Sequence, residues 1–298
     1  MLKIEGLVKA HTPNRRAIDG LSLEAGEGVL GLLGPNGAGK SSLMEILSAG
    51  ADFQQGRITL DGTLDLSRNP RQWRGALGYL PQSFDFPPFC TGRALIREAL
   101  LLMGRNPRAL RARETELIER LNLGWAIDRD AAGYSRGMKQ RLGFLLALIH
   151  EPRLLLLDEP TAGLDPIERV FFRDLLAEGA VGRIAVLSTH IVGDIEKCCE
   201  RIAVIVRGRI VYTGTPGELA LRSRGRVWEY SAREDAVESL TRSRQAISIR
   251  RGEGALYIAR VISATPPTPD AVAVAPTLED SYFDLVEKDS QAAASIPA

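Results

Sequence analysis

Residues 29–44 read VLGLLGPNGAGKSSLM. The stretch begins as an apolar strand, passes through a glycine-rich turn and continues into a helix that we expect over residues 41–47. Residues 34–41 fit the pattern G-x-x-x-x-G-K-[ST], in which backbone N–H groups of a glycine-rich loop surround a phosphate. Glycine lacks a Cβ atom, so the chain can approach phosphate oxygens closely. The stretch therefore predicts a phosphate-binding loop between a strand and a helix N-terminus.

Two side chains of this loop have their own chemistry. We expect the Lys40 ammonium to contact the β- and γ-phosphates of a nucleoside triphosphate. The Ser41 hydroxyl is expected to bind Mg²⁺, which prefers oxygen ligands. The alternative, a glycine-rich turn with a chance lysine, fits poorly with the apolar strand before the loop and the helix after it.

An acidic pair follows an apolar run further along the chain. Residues 154–157 are four leucines, and Asp158 and Glu159 come directly after them. Such a run indicates a buried parallel strand, and ligands of open α/β sheets bind at the carboxyl ends of these strands. We expect Asp158 to hold Mg²⁺, directly or through water, and Glu159 to act as general base on an attacking water.

The alternation of strands and helices predicts an α/β fold class with a mostly parallel sheet. Residues 1–8, 21–23 and 56–62 indicate strands of an antiparallel β subdomain, with a polar loop at 11–16. A helical subdomain is expected over about residues 85–150, with a helical pattern at 91–123 and a helix at 138–150. We expect an ATP-binding domain over residues 1–215.

The chain changes character after residue 215. Residues 216–298 carry no phosphate-binding motif and are expected to form a small α+β accessory domain. Within it, residues 265–269 are proline-rich and resemble a linker, and residues 277–288 predict an amphipathic helix with Thr277 as its cap. Residues 290–298 are expected to be a frayed tail.

Composition narrows the classes of protein. The 298 residues are 45% hydrophobic and 25% charged, with a net charge of +1, which indicates a globular chain and no nucleic-acid partner. Neither a signal peptide nor an apolar run of about 18 residues is evident. The three cysteines, Cys90, Cys198 and Cys199, form no metal or disulfide framework.

These motifs resemble those of the nucleotide-binding subunits of ABC transporters, over about residues 2–215. The family's LSGGQ signature corresponds to Tyr134-Ser135-Arg136-Gly137-Met138. Gln82 matches the Q-loop glutamine, residues 162–165 match the D-loop, and Thr189-His190 matches the switch histidine. The motifs also occur in the family's order, which makes the resemblance specific.

The resemblance implies a mechanism in which two ATPase domains face each other head to tail around two ATP molecules. His190 and Gln82 then act with Glu159 and Lys40 in hydrolysis, and Gln82 joins Ser41 and Asp158 around Mg²⁺. Ser135, Gly137 and Asp165 approach the ATP of the opposite site. The residues expected to contact nucleotide are Gly34, Pro35, Asn36, Gly37, Ala38, Gly39, Lys40, Ser41, Ser42, His11, Ser135, Gly137 and Asp165.

The sequence departs from the family pattern at three places. Arg136 and Met138 stand where the consensus has glycine and glutamine, while the serine and the second glycine are kept. His11 takes the position of the aromatic ring that stacks on adenine, and an exposed histidine with no such role is the alternative. Ser42 replaces a common threonine, with little consequence expected.

We expect an ATPase that energises a separate integral membrane permease, as a homodimer or with a paralogous ATPase subunit. Residues 78–82, the signature in the form found at 134–141 and residues 276–280 resemble the drug and antibiotic exporter branch. The expected location is the cytoplasmic face of the membrane, through the permease. The alternative is a soluble ABC-type ATPase that acts with protein partners in assembly or regulation rather than in transport. A P-loop kinase or GTPase is opposed by the signature and by the absence of N-K-x-D.

Overall fold

The computed structural model describes residues 1–12, 15–242, 246–252, 254 and 256–294 of the chain. These residues form two compact units, Met1–Thr213 and Gly214–Ala298. The strands of the first unit are β1 (Leu2–Thr12), β2 (Arg15–Ala25), β3 (Gly28–Leu33), β4 (Gln55–Leu60), β5 (Leu64–Asp65), β6 (Leu77–Leu80), β7 (Leu154–Asp158), β8 (Ile184–Thr189), β9 (Arg201–Val206) and β10 (Arg209–Gly214). Its α-helices are α1 (Lys40–Leu47), α2 (Pro70–Gly75), α3 (Gly92–Leu102), α4 (Arg111–Arg120), α5 (Arg136–Leu148), α6 (Pro166–Gly179) and α7 (Val192–Cys198).

The main sheet of the first unit has the order β10-β9-β3-β8-β7-β6. Strand β3 pairs in parallel with β8 and β9, and β7 pairs in parallel with β6 and β8. Every residue of β7 and β8 is buried, because both strands lie inside the sheet; they are mostly apolar, and their polar residues, Asp158, Ser188 and Thr189, stand at the carboxyl ends. The α/β class and the mostly parallel sheet are confirmed.

A second sheet of this unit has the order β2-β1-β4-β5, with antiparallel pairing throughout. It confirms the expected β subdomain. The predicted loop at 11–16 is largely wrong, because β1 continues to Thr12 and β2 begins at Arg15; Pro13 and Asn14 lie outside the described residues. The core joins both sheets and the first helix, and it includes Leu7, Ile18 and Leu43, each fully buried.

The helical pattern at 91–123 is two helices, α3 and α4. Thr91 caps α3 by accepting a hydrogen bond from the Ala94 N–H at 3.1 Å. The helix ends at Leu102, and residues 103–110, with Gly104 at φ 67° and Pro107, separate it from α4. The next helix, α5, begins at Arg136 rather than 138, because Ser135 is its cap.

The second unit contains α8 (Pro216–Leu221), β11 (Val227–Ala232), α9 (Glu234–Arg242), β12 (Ala246–Arg251), β13 (Tyr257–Ile262), β14 (Val272–Ala273) and α10 (Leu278–Ala294). Its antiparallel sheet has the order β12-β13-β11-β14, so this extension is α+β as predicted. The frayed tail predicted from residue 290 is wrong as far as Ala294, since α10 continues to that residue; residues 295–298 are outside the description.

Candidate nucleotide-binding site

The carboxyl ends of three adjacent strands meet at one edge of the main sheet. Leu33, the last residue of β3, is in register with Thr189, the last residue of β8, and Asp158 of β7 is in register with Ser188. The glycine-rich loop follows β3, Glu159 follows β7, and His190 follows β8. The strand order therefore gathers the three predicted motifs at the ligand-binding edge of an α/β sheet.

The loop before α1 has the geometry that its glycines permit. Gly39, at the N-cap of α1, has φ 109°, and a Cβ atom there would lie 2.5 Å from the carbonyl oxygen of Ala17. An L side chain at this position is thus excluded by both conformation and space. No acidic residue lies in the first turn of α1, so its N–H groups and the helix dipole favour an anion at this end.

Lys40 lies across the loop that precedes it. Its Nζ donates hydrogen bonds to the carbonyl oxygens of Gly34 at 2.6 Å and Pro35 at 3.2 Å. Burial lowers the pKa of Lys40, while the nearby carboxylates of Glu159 and Asp158 act in the opposite direction. The ammonium is therefore held in place before any phosphate arrives.

Asp158 is a buried carboxylate with an unsatisfied oxygen. Its Oδ1 has no hydrogen-bond partner among the described residues, and burial raises the pKa of this side chain, with Glu159 contributing in the same direction. A buried acceptor without a partner is costly unless a cation or donor reaches it. The donor set of Asp158 and the Ser41 hydroxyl fits Mg²⁺, a hard cation with oxygen ligands.

Glu159 and His190 are in direct contact. The Nδ1 atom of His190 lies 2.8 Å from Oε1 of Glu159, and the Thr189 hydroxyl is 3.5 Å from the other carboxylate oxygen. The Glu159 backbone has φ 48°, and its N–H donates to the carbonyl of Ser188 at 2.8 Å. The strained left-handed conformation turns the glutamate out of the strand direction and toward the histidine.

A cleft at this edge brings most of the predicted residues together. It is lined by His11, Arg16, Ala17, Asn36, Gly37, Gly39, Lys40, Ser41, Ser42, Gln82 and Glu159. The Nε2 atom of His11 is 3.4 Å from the Ser42 hydroxyl, which places the histidine at the wall of the cleft. Five further predicted residues are next to lining residues of the cleft, either in the sequence or through the contacts described above. They are Gly34, Pro35, Ala38, Asp158 and His190.

Sequence reasoning missed Arg16 and Ala17. Arg16 is paired with Ala10 in the β1–β2 register, and its guanidinium forms an ion pair with Asp19 at 2.5 Å. The side chain is 60% exposed, so this cation remains available at the mouth of the cleft. A hairpin pattern through residues 15–25, read as strand rather than loop, was the signal that could have placed it.

The signature and the D-loop do not line this cleft. Ser135 caps α5 by accepting from the Met138 N–H at 3.3 Å, and Asp165 caps α6 by accepting from the Glu168 N–H at 2.8 Å. A Cβ atom at Gly137 would lie 2.8 Å from the Glu168 carboxylate. A Cβ atom at Gly163 would lie 2.6 Å from Cζ of the Arg136 guanidinium, so the D-loop and the signature pack against each other.

Three further titratable side chains, one histidine and two cysteines, lie outside the lining of the cleft. His150 is buried and its Nε2 atom lies 2.9 Å from the Leu77 carbonyl oxygen, while burial lowers its pKa. Burial raises the pKa of Cys198 to about 11. Cys199 is buried as well, and its pKa is also raised by burial. Thiols in this state are poor nucleophiles.

This chain is a P-loop nucleotide-binding protein. Three features define the class: the order of the strands, the glycine-rich loop with its lysine, and the contact between Glu159 and His190.

The model of the ABC transporter family matches residues 18–162. The daunorubicin resistance ATP-binding protein DrrA2 of Streptomyces coeruleorubidus is 40% identical over 207 residues, which are 69% of this chain and 64% of that protein. The uncharacterized ABC transporter ATP-binding protein YxlF of Bacillus subtilis (strain 168) is 34% identical over 78% of this chain and 77% of its own length.

Solved structures agree with these relatives. The structure of an ATP-binding subunit of an ABC transporter superposes with a TM-score of 0.67 and 25% identity, over 74% of this chain and 91% of that one. The chain belongs to the ABC transporter family and resembles its ATP-binding subunits in sequence and fold. This chain spans less than two thirds of the length of DrrA2. The activity of DrrA2 as a whole protein is therefore not assigned to this chain on the family match.

Proposed function

We propose that this chain hydrolyses ATP in the cleft beside Lys40 and thereby drives a separate membrane permease that exports a drug, an antibiotic, a lipid or another small molecule. One observation carries the proposal: the contact between Glu159 and His190 at the strand edge that also holds the glycine-rich loop. The export direction is supported by relatives named for daunorubicin resistance and by the Nod factor export ATP-binding protein I of Paraburkholderia xenovorans, which is 36% identical.

The triphosphate is bound by the loop and by Lys40. Backbone N–H groups of residues 34–41 surround its oxygens, and the Lys40 ammonium neutralises charge between the β- and γ-phosphates. Ser41 and Asp158 would supply two oxygen ligands of a magnesium site, and nucleotide oxygens would complete it. Magnesium, when bound, neutralises charge that develops on the phosphates. Gln82, which is exposed in the cleft, is the further candidate ligand.

Glu159 is the proposed general base. Its carboxylate is 7% exposed and accepts the proton of the attacking water, while His190 holds the carboxylate through Nδ1 and reaches toward the γ-phosphate. His190 is 53% exposed and can move when nucleotide enters. His11 is proposed to lie against the adenine ring, because it forms the wall of the cleft next to Ser42.

A second ATPase domain is part of the proposed active unit. Ser135, Gly137 and Asp165 are outside the cleft of their own chain, so their contact with nucleotide requires the cleft of another copy or of a paralogous subunit. The N-terminus of α5, capped by Ser135, presents the N–H groups that bind phosphate there. Arg136, beside them, adds a positive charge in place of the consensus glycine.

The permease is proposed to contact the segment after Gln82. Phe89 is 93% exposed with φ 63°, which leaves its ring without packing in this unit. Phe84 and Phe86 are half-buried and contact each other edge to face at 5.5 Å, so they belong partly to the core of this unit. No helix among the described residues is both long and apolar enough to cross a membrane. The proposed location, the cytoplasmic face of the membrane, rests on the proposed contact with the permease.

The boundary near residue 215 divides the proposed roles. Residues 1–215 carry the ATPase, with a helical subdomain over about 85–150, and residues 216–298 are an accessory domain without nucleotide contacts. All residues that line the cleft lie in the first unit, which supports this division.

The test of the proposal is hydrolysis together with partner capture. The purified full chain is assayed for phosphate release from ATP with Mg²⁺ and with EDTA, and tagged chain is co-expressed with any integral membrane protein that a neighbouring gene encodes. We expect magnesium-dependent hydrolysis and co-purification of the membrane protein. Hydrolysis without any membrane partner rejects transport and favours an ATPase that acts in assembly or regulation. Absence of ATP binding rejects the site itself.

A further inference from the structure

A buried carboxylate links the segment after Glu159 to the helix after His190. Asp194, the fourth residue after His190, lies on α7 and is 1% exposed. Its Oδ2 atom accepts a hydrogen bond from the Thr161 hydroxyl at 2.5 Å. Thr161 is the second residue after Glu159 and is itself 3% exposed.

The other oxygen of Asp194 is held from a third element. The Nε atom of Arg173, on α6, donates to Oδ1 at 2.9 Å, and Nη2 of the same guanidinium also contacts it. A buried carboxylate is costly unless its oxygens are hydrogen-bonded, and here the hydroxyl and the guanidinium supply those bonds. The carboxylate therefore joins the segment at 159–165, α6 and α7 at one point.

Neither Thr161, Arg173 nor Asp194 lines the nucleotide cleft. Two of them are nonetheless close in sequence to the reacting groups. Thr161 is two residues after Glu159, and Asp194 is four residues after His190, so their hydrogen bond connects the two segments that carry the Glu159–His190 contact. Movement of α7 changes the direction of His190, and movement of the turn at 159–162 changes that of Glu159. The turn itself is closed by the Ala162 N–H, which donates to the Glu159 carbonyl at 3.1 Å.

We propose that Asp194 is a positioning residue that, through Thr161 and Arg173, keeps Glu159 and His190 in contact for hydrolysis. The inference rests on the proposed function of Glu159 and His190. It assigns the linkage to the chemical step and not to nucleotide binding, since the loop around Lys40 is held by contacts of its own.

Thr161 offers the sharpest variant pair. Thr161→Val keeps the size of the side chain and removes the donor, whereas Thr161→Ser keeps the donor and removes a methyl group. We expect Thr161→Val to lower kcat on the order of tenfold with an unchanged Kd for nucleotide, because a hydrogen bond to a charged acceptor is lost. Thr161→Ser should retain most of kcat. Asp194→Asn should resemble Thr161→Val, because an amide cannot receive both the hydroxyl and the guanidinium.

Asp280→Asn is the matched control. Asp280, in the second unit, is also 1% exposed and is also bound by an arginine, Arg260, so the substitution removes a comparable buried ion pair far along the chain. Hydrolysis is expressed per mole of nucleotide bound, so unfolded protein does not contribute. Thr161→Val with the kcat of the wild type, or Asp280→Asn with as large a loss as Asp194→Asn, overturns the inference. A wild-type chain that binds ATP without hydrolysing it rejects the proposed function instead.

Discussion

The Nδ1 atom of His190 lies 2.8 Å from Oε1 of Glu159, and the two residues differ in exposure: 53% for the histidine and 7% for the glutamate. The solvent-exposed histidine thus contacts a carboxylate that is almost fully buried. Each follows a different strand of the main sheet, and β7 and β8 are neighbours with register Asp158 to Ser188. The contact is therefore a consequence of strand order.

His190→Ala removes this contact and tests its role in hydrolysis. We expect slower turnover by about 10²-fold or more, since Glu159 loses the group that orients it and the γ-phosphate loses a donor. Binding of nucleotide, followed with a fluorescent ATP analogue, should change little, because Lys40 and the glycine-rich loop remain. Wild-type turnover in this variant contradicts the assignment of His190.

Lys40→Ala should abolish hydrolysis and weaken binding of ATP. The ammonium is already held by the carbonyl oxygens of Gly34 and Pro35, so it meets the phosphates without reorganisation. Isothermal titration and phosphate release measure the two effects. Lys3→Ala, which removes a lysine paired with Glu5 and Glu24 at the surface, is the control and should behave as the wild type. If Lys40→Ala hydrolyses ATP normally, the loop is not the phosphate site.

The motifs could be predicted from the sequence because each contains its own local chemistry. The glycines of 34–39 permit a conformation that other residues do not, and four leucines before Asp158 indicate a buried strand in any context. The N-caps of α5 and α6 were not predicted. They are Ser135 of the signature and Asp165 of the D-loop, and each accepts a hydrogen bond from a backbone N–H group where its loop ends and the helix begins.

Other features depend on pairings that single-sequence patterns do not contain. The order β3-β8-β7, which places Glu159 beside His190, is a property of the assembled sheet. Arg16 reaches the cleft only because β1 and β2 pair through residues with polar side chains, which resemble a loop in sequence. The end of α3 at Leu102 and the continuation of α10 to Ala294 were likewise not indicated by periodicity alone.

The second unit should depend on pH through Asp280. Burial acts to raise the pKa of Asp280, but hydrogen bonds from Arg260 and Thr277 outweigh it and the pKa is lowered. Because a lowered carboxyl pKa stabilises the folded state above the unfolded value, this contribution is present above about pH 4 and is lost as the pH falls further. Asp280→Asn should lower the stability of α10 by about 2 kcal/mol at pH 7, and the difference should shrink below pH 4.

Hydrogen exchange of the α10 amides in the full chain, at pH 7 and at pH 3.5, measures this effect. A surface pair offers the control: Lys288 is 59% exposed and is one of two partners of Asp284, the other being Arg226, so Lys288→Ala should have a small effect. A constant difference between Asp280→Asn and the wild type at both pH values contradicts the role of the carboxylate charge.

Glu159→Gln should separate binding of ATP from its hydrolysis. Glutamine keeps the size of the side chain and its carbonyl still accepts a hydrogen bond, but it cannot accept the proton of water at neutral pH. Asp158, Lys40 and Ser41 remain in place, so ATP should still bind and hold two ATPase domains together. We expect turnover slower by about 10²–10⁴-fold and an ATP-dependent dimer that does not dissociate.

Single-turnover hydrolysis, combined with size-exclusion chromatography in ATP, measures both outcomes on one sample. Glu178→Gln is the matched substitution, because Glu178 is 53% exposed on α6 and paired with Arg120, outside the cleft. It should hydrolyse ATP and show no accumulated dimer. If Glu159→Gln turns over at a rate near that of the wild type, Glu159 serves only the end of its strand. The attacking water must then be held by another group, and His190, 2.8 Å from the same carboxylate, is the first to test.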